Sequence, residues 1–194
     1  MPLGSEGFLM KHIWVDIDKC LGCKTCELQC AIERNSVSKT LAGAALEDPK
    51  PIPRVGVSGP TGKSFPIQCR HCQDAPCLTA CPSGAMQRDA EKGTVFVAQD
   101  KCRGCWMCVM TCPFGVVTPS AQYKVAVKCD ACMHMEEPAC VASCQTGALM
   151  HCDEEAFMKV LTAKRGKISV FVKSVSAAER SNIVSLDISK DGKK

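Results

Sequence analysis

Sixteen of the seventeen cysteines stand in four groups of four, with two to seven residues between neighbours in a group. The groups are Cys20, Cys23, Cys26 and Cys30; Cys69, Cys72, Cys77 and Cys81; Cys102, Cys105, Cys108 and Cys112; and Cys129, Cys132, Cys140 and Cys144. Thiolates at such spacing bind iron–sulfur clusters, and the third group, closed by Pro113, matches the bacterial ferredoxin pattern C-x2-C-x2-C-x3-C-P. We therefore predict four [4Fe–4S] clusters with these sixteen cysteines as iron ligands.

Zinc and disulfides are the two alternatives for so many cysteines. Zinc sites usually combine two C-x2-C pairs across a longer loop, whereas each group here holds four cysteines in one short segment. Disulfides belong to oxidising compartments, and the first fourteen residues lack the basic and apolar stretches of a secretory signal. Both alternatives are disfavoured. Cys152 lies outside the groups, and we expect it to be a small buried apolar residue.

The rest of the composition indicates that the chain depends on metal clusters to fold. Only 5% of its 194 residues are aromatic, so apolar burial alone offsets little of the chain entropy lost on folding. The formal net charge is +4, but four clusters with their thiolates add about −8. Basic residues form no stripe, so we expect no nucleic-acid role. No apolar run spans a bilayer, and reduced thiols favour the cytoplasm, with membrane association only through a partner complex.

Short strands and helices must position the cysteines. Strands are predicted ahead of the first, third and fourth groups, at residues 12–16, 94–97 and 125–127. The x3 spacing separates the last two cysteines of each group by about one helical turn, so a short helix is predicted after each ligand loop. Turns at residues 83–86 and 146–149 lead into further strands. Gly22 and Gly104 let their ligand loops turn the sulfurs inward.

Residues 35–66 contain no cysteine and many Pro and Gly. They are predicted to form an insertion loop with one strand near residues 52–57.

The C-terminal extension, residues 152–194, has no cysteine from residue 153 onward. Asp153 is predicted to cap a helix over residues 154–164 that ends at Gly166. A strand is predicted at residues 168–172, and the polar tail is expected to be mobile.

Two segments carry a family resemblance. The chain resembles, over residues 11–151, the four-cluster iron–sulfur subunits of dimethyl sulfoxide reductase-type molybdopterin enzymes, formate dehydrogenases and hydrogenases. Within that family, residues 65–77 (FPIQCRHCQDAPC) and 104–115 (GCWMCVMTCPFG) are most similar to the iron–sulfur protein associated with carbon monoxide dehydrogenase. Ala31 and Gln145 stand where the family commonly has proline after the last cysteine of a group.

The resemblance implies an α+β, duplicated dicluster ferredoxin-like fold, small and loop-rich, with one ferredoxin-like unit inserted in the other. The outer unit would be residues 11–34 plus 114–151, and the inner unit residues 67–113. The implied ligand sets are Cys20, Cys23, Cys26 and Cys144; Cys30, Cys129, Cys132 and Cys140; Cys69, Cys72, Cys77 and Cys112; and Cys81, Cys102, Cys105 and Cys108.

The resemblance also implies an electron-transfer role. No nucleophile–base pair or dinucleotide fingerprint is present, so we expect no catalytic activity. Electrons would pass between a redox enzyme, carbon monoxide dehydrogenase first, and a hydrogenase, flavin oxidoreductase or ferredoxin. The alternatives are an integral subunit of a formate dehydrogenase or hydrogenase complex, and a zinc-stapled interaction module. His71 and Trp106 are expected to pack beside clusters rather than bind iron.

Overall fold

The computed structural model describes residues 11–59, 64–120 and 123–174, with side chains as far as residue 164. The chain divides into two compact units, the first ending at Asp153 and the second beginning at Glu154. All seventeen cysteines belong to the first unit.

Short strands in the first unit pair as antiparallel ribbons. In the described residues the strands are β1 (His12–Val15), β2 (Gly56–Ser58), β3 (Phe65–Ile67), β4 (Met86–Arg88), β5 (Val95–Val97), β6 (Thr118–Ser120), β7 (Val125–Val127) and β8 (Leu149–Cys152). β1 pairs with β8, β2 with β3, β4 with β5, and β6 with β7. The pairing of β1 with β8 brings the two ends of the first unit together, with Val15 opposite Leu149. The strands predicted before the first, third and fourth groups, and after the second and fourth, are confirmed.

A short helix follows each ligand loop, as the x3 spacing predicts. These helices are α1 (Thr25–Asn35), α3 (Pro76–Thr79), α4 (Met107–Thr111) and α5 (Ala139–Ala142), and α2 (Leu41–Leu46) lies between the first two. α1 packs against α5, and α3 packs against α4. The helix of the first group therefore contacts that of the fourth, and the helix of the second contacts that of the third.

Two small apolar clusters form the interior of the first unit, and cysteines are part of both. One contains Ile13, Cys26, Cys30, Val55, Cys140, Val141 and Leu149. The other contains Ala75, Cys77, Met86, Val95, Cys108, Val117 and Ala126. Among the described residues, neither cluster contains a large aromatic side chain, in line with the low aromatic content of the chain.

The described parts of the predicted insertion, residues 35–59 and 64–66, contain a helix and two strands. Thr40 caps α2, because its Oγ1 accepts a hydrogen bond from the backbone N–H of Gly43 at 3.2 Å. The predicted strand near residues 52–57 is found a little later, as β2 paired with β3. α2 was not predicted, since it has only six residues and a central glycine, which weakens any helical pattern.

The second unit corrects two predictions. α6 (Glu154–Ser174) is a single helix, so it does not end at Gly166 and there is no strand at residues 168–172. A glycine inside a helix costs only about 1 kcal/mol relative to alanine, which the good helix formers around it outweigh. A short apolar run with β-branched residues fits helix or strand equally well. The tail predicted to be mobile, from residue 175, lies outside the described residues.

Candidate metal centres

The ligand loops of the first and third groups turn through left-handed backbone conformations at matching positions. Gly22 and Gly104 both have φ of +67°, and the non-glycine residues two positions later, Lys24 and Trp106, have φ of +61° and +62°. A Cβ at Gly104 would overlap the carbonyl oxygen of Lys124. The glycine-dependent turn expected at both positions is confirmed, and at Gly104 the close approach also demands glycine. The cysteines that follow, Cys23 and Cys105, are exposed.

One cavity is lined by cysteines from two groups. Its sulfur-bearing lining residues are Cys69, Cys72, Cys77 and Cys112. Apolar side chains complete the wall, among them Ala75, Val95 and Val117, which are all buried. These four cysteines are the third set implied by the family resemblance.

A second cavity is also lined by four cysteines from two groups. Its cysteines are Cys81, Cys102, Cys105 and Cys108, the fourth implied set. Trp106 lies in its wall, together with Met86 and Val97. Trp106 is therefore placed where it can shield this cavity from water.

The second implied set is buried as a whole, and its members are Cys30, Cys129, Cys132 and Cys140. Burial raises the pKa of every one of these thiols, that of Cys129 to about 12. Repulsion from neighbouring thiolates of the same set adds to the rise at Cys30, Cys129 and Cys140. Four thiolates can coexist here only with a positive partner, which the iron of a cluster supplies.

The first implied set is less compact among the described contacts. Cys26 is buried, and burial raises its pKa to about 11. Cys26 belongs to one of the two apolar clusters, and Cys144 packs against that cluster. Cys20 and Cys23 lie on the loop before α1, and Cys23 is exposed. The structure thus brings two members of this set together and leaves the other two on the adjoining loop.

Backbone N–H groups donate hydrogen bonds to five of the sulfurs. The pairs are Arg54 to Cys30 at 3.2 Å, and His71 to Cys69, Met86 to Cys81, Ala126 to Cys102 and Ala131 to Cys129, each at 3.4 Å. Hydrogen bonds to cluster sulfur are one of the means by which a protein sets cluster potential. Two of the five pairs, Arg54 to Cys30 and Ala126 to Cys102, join residues 24 positions apart and depend on how the chain folds back onto the loop, so the sequence pattern did not identify these donors.

An ion-pair network beside the second set was also missed. The carboxylate of Asp130 accepts hydrogen bonds from both Arg34 and Arg54, the latter at 3.1 Å. Asp130 lies between Cys129 and Cys132 in the chain, and its other oxygen accepts from the backbone N–H of Cys132 at 3.2 Å. The position of Asp130 inside a C-x2-C loop was the one available signal.

Three polar side chains are buried close to the ligand loops. His71 accepts a hydrogen bond at Nδ1 from the backbone N–H of Val95 at 3.1 Å. Burial, with the nearby Lys128 ammonium second, lowers the pKa of His71 to about 3, so the imidazole is neutral. Gln68 and Lys128 are also buried. Both directly precede the first cysteine of a group. This position was the available signal, but it does not by itself predict that the side chains are buried.

The donor sets suit [4Fe–4S] clusters better than single ions. Within the described residues, no three His, Cys, Asp or Glu converge on one ion, and two of the four-cysteine sets instead line cavities together with apolar side chains. Zinc sites usually combine two C-x2-C pairs, whereas each of these cavities takes three cysteines from one group and one from another. Cys152 lies on β8 opposite His12 and is half-buried, away from the four-cysteine cavities.

No helix in the part of the chain that the structure describes is long and apolar enough to cross a membrane.

Comparison with known proteins agrees with this chemistry. Residues 61–160 match the family "4Fe-4S dicluster domain". The electron transport protein HydN of Escherichia coli (strain K12) is 36% identical over 176 residues, which cover 82% of this chain and 98% of HydN. The thiosulfate reductase electron transfer subunit PhsB of Salmonella typhi is 35% identical over 148 residues, 73% of each chain. A chain of the BamBC active-site complex of benzoyl coenzyme A reductase aligns over 90% of this chain and 96% of its own length, at 21% identity and with a low TM-score of 0.39.

The extent of these matches decides the family. The matched domain covers half of the chain, and HydN is matched over nearly its whole length. HydN is named as an electron transport protein and PhsB as an electron transfer subunit. The chain therefore belongs to the 4Fe–4S dicluster domain family of iron–sulfur electron-transfer proteins, and its cofactors are [4Fe–4S] clusters.

Proposed function

We propose that this protein is an electron relay in which four [4Fe–4S] clusters are held by the sixteen grouped cysteines. The observation that carries the proposal is the pair of cavities, because each is lined by four cysteines drawn from two different groups. Exchange of one cysteine between neighbouring groups is the ligation pattern of two-cluster ferredoxins. The four ligand sets are those implied by the family resemblance.

We also propose the duplicated arrangement, with residues 67–113 as an inner two-cluster unit inside an outer unit formed by residues 11–34 and 114–151. Packing of α3 on α4, and of α1 on α5, supports this pairing of groups. The pairing of β1 with β8 supports it as well, because it closes the outer unit around the inner one. Residues 35–66 are then an insertion, and residues 152–194 an extension.

Each cluster, when bound, accepts and releases one electron. The chain's own residues set how readily this happens. Buried side chains such as Val95 and Val117 keep water from the cavity walls, and the backbone N–H donors stabilise negative charge on the sulfurs. The exposed ligands Cys23 and Cys105 belong to two different sets. They support two separate places at which electrons enter and leave.

For the partners, we propose that carbon monoxide dehydrogenase donates electrons and that a hydrogenase, flavin oxidoreductase or ferredoxin accepts them. The proposal rests on the resemblance of residues 65–77 and 104–115. An integral subunit of a formate dehydrogenase or hydrogenase complex is the second candidate, and it is favoured by the name of PhsB, a subunit of a reductase. We place the protein in the cytoplasm, because sixteen ligand thiols need a reducing compartment.

The ligand assignment is tested with Cys108→Ser, measured against Cys152→Ser. Anaerobically purified wild-type protein should hold about sixteen irons per chain. Cys108→Ser should lose or convert one cluster, hold about twelve to sixteen irons with an altered electron paramagnetic resonance (EPR) spectrum, and melt at a lower temperature, because cluster binding is part of the folding free energy. Cys152→Ser should match the wild type. Unchanged iron, spectrum and melting in Cys108→Ser would overturn the assignment.

The partner assignment is tested separately. Carbon monoxide and its dehydrogenase should reduce the protein at a rate that rises with dehydrogenase concentration, as followed by loss of visible cluster absorbance. A rate no faster than that given by carbon monoxide alone would overturn this donor. Co-purification with a large subunit that survives high salt would favour the second candidate.

A further inference from the structure

Lys128 is a lysine in the interior of the first unit. Only 2% of its surface is exposed. Its Nζ donates hydrogen bonds to two backbone carbonyls, that of Val95 in β5 and that of Cys129 at 2.9 Å. A buried cation is costly unless it is paired, and this ammonium is held by one carbonyl of a distant strand and one of the adjacent residue.

The same local sequence elsewhere does not bury its lysine. Lys19 directly precedes Cys20, and Lys101 directly precedes Cys102, just as Lys128 precedes Cys129. Lys19 and Lys101 are both exposed. The local pattern is shared by three groups, and the tertiary structure selects one lysine.

The residue before the second group is buried in the same manner. Gln68 is 1% exposed, and its Nε2 donates to the carbonyl of Ile13 in β1 at 3.2 Å. Gln68 thus binds the strand ahead of the first group, as Lys128 binds the strand ahead of the third. The two buried side chains occupy matching places, but only that of Lys128 carries a charge.

Lys128 lies between two ligand sets. Val95, whose carbonyl it binds, lines the cavity of Cys69, Cys72, Cys77 and Cys112. Cys129, whose carbonyl it also binds, belongs to the other set. The ammonium is therefore in direct contact with the backbone that borders both ligand sets.

We propose that Lys128 is an electrostatic positioning residue that raises the reduction potentials of the two clusters between which it lies. Electrons then pass between the inner and the outer two-cluster unit through these two clusters. The inference rests on the proposed four-cluster function. It follows because a positive charge favours the more negative, reduced state of a nearby cluster. The effect is strong here since water and salt, which screen exposed charges, are excluded from the interior.

The test is an EPR-monitored redox titration of anaerobically purified, fully loaded protein. In Lys128→Met, two of the four clusters should become at least tenfold harder to reduce, a shift of about 59 mV for one electron. The other two should change by less than threefold. Lys128→Arg should stay within threefold of the wild type at all four clusters, because it keeps the charge.

Lys101→Met is the matched control, because it removes a lysine from the same position relative to a group but from the surface. It should change no cluster by more than threefold. The proposal is overturned if Lys128→Met leaves all four potentials in place, if all four move together, or if Lys101→Met produces the same shift as Lys128→Met.

If Lys128→Met assembles only some of its clusters, its iron content still tests the proposal. Loss of about eight irons, with the full complement retained in Lys128→Arg, supports the proposal because only the two flanking clusters depend on the charge. Loss of all clusters would overturn it in favour of a role in folding alone. A wild type with clearly fewer than sixteen irons would contradict the four-cluster function itself, whereas unchanged potentials at sixteen irons contradict only this inference.

Discussion

The backbone N–H of Arg54 donates a hydrogen bond to Sγ of Cys30 over 3.2 Å. The side chain of Arg54 binds the carboxylate of Asp130, which lies in the fourth group. Val55, the next residue, is buried in the same apolar cluster as Cys30. Arg54 and Val55, in the segment that separates the first group from the second, are therefore part of the surroundings of a predicted cluster.

Asp130→Asn should weaken this connection. The change removes the charge that holds both Arg34 and Arg54, and hydrogen bonds to charged groups contribute about 1.5–3 kcal/mol each. We expect a loss of about 2 kcal/mol in the free energy of unfolding, seen as a lower melting temperature in anaerobic thermal scans that follow cluster absorbance.

Glu155→Gln is the control for Asp130→Asn. It breaks the ion pair of Glu155 with Lys159, in which both side chains are 74% exposed. Exposed pairs contribute between zero and about 1 kcal/mol, so the melting temperature should hardly change. Equal effects of the two substitutions would contradict a stabilising role for Asp130.

Gly104→Ala should damage the centre that contains Cys102, Cys105 and Cys108. Alanine at positive φ costs about 1–2 kcal/mol, and its Cβ would also overlap the carbonyl oxygen of Lys124. We expect lower melting and the loss of about four irons per chain, measured by iron analysis of the purified protein.

Gly115→Ala separates the two costs. Gly115 has φ of +61°, but a Cβ there meets nothing within 4 Å. Gly115→Ala should be destabilised only by the unfavourable backbone conformation, and the variant should keep its full iron content. If Gly115→Ala lost as much iron as Gly104→Ala, the overlap with Lys124 would not be the cause.

Glu47 should make the start of the insertion sensitive to acid. Its carboxylate accepts hydrogen bonds from Ser36 Oγ at 2.7 Å and from the backbone N–H groups of Val37 and Ser38 at 3.1 and 3.0 Å. The Ser36 hydroxyl, and then the Ser38 amide, lower the pKa of Glu47 from 4.5 to about 2. The folded-state pKa lies below the unfolded one, so this stabilisation is complete above pH 4.5 and is lost as pH falls toward 2.

Hydrogen exchange at the amides of Val37 and Ser38 measures this effect. After correction for intrinsic exchange rates, protection should be high at pH 6 and should fall below pH 4.5. Glu47→Gln should lose protection already at pH 6, whereas Glu136→Gln, which removes an exposed carboxylate elsewhere, should not. Protection that is independent of both pH and Glu47 would contradict the stabilising role of the Glu47 carboxylate.

Much of the local structure around the cysteines follows from spacing. The helix after each ligand loop and the left-handed turns at Gly22 and Gly104 depend on a few adjacent residues, so the linear pattern predicts them. The end of α6 was predicted wrongly, because a single glycine is a weak signal against a run of helix-forming neighbours. α2 was missed since six residues are too few to show a period.

What the sequence by itself determined is the chemistry, because four thiols a few residues apart can bind a cluster within a short reach of backbone. Tertiary structure alone decided the surroundings of that chemistry. Lys19, Lys101 and Lys128 have the same place before a group, yet only Lys128 is buried, against a carbonyl 33 residues away in the chain. Burial and charge at a cluster depend on such distant contacts, and no local pattern contains them.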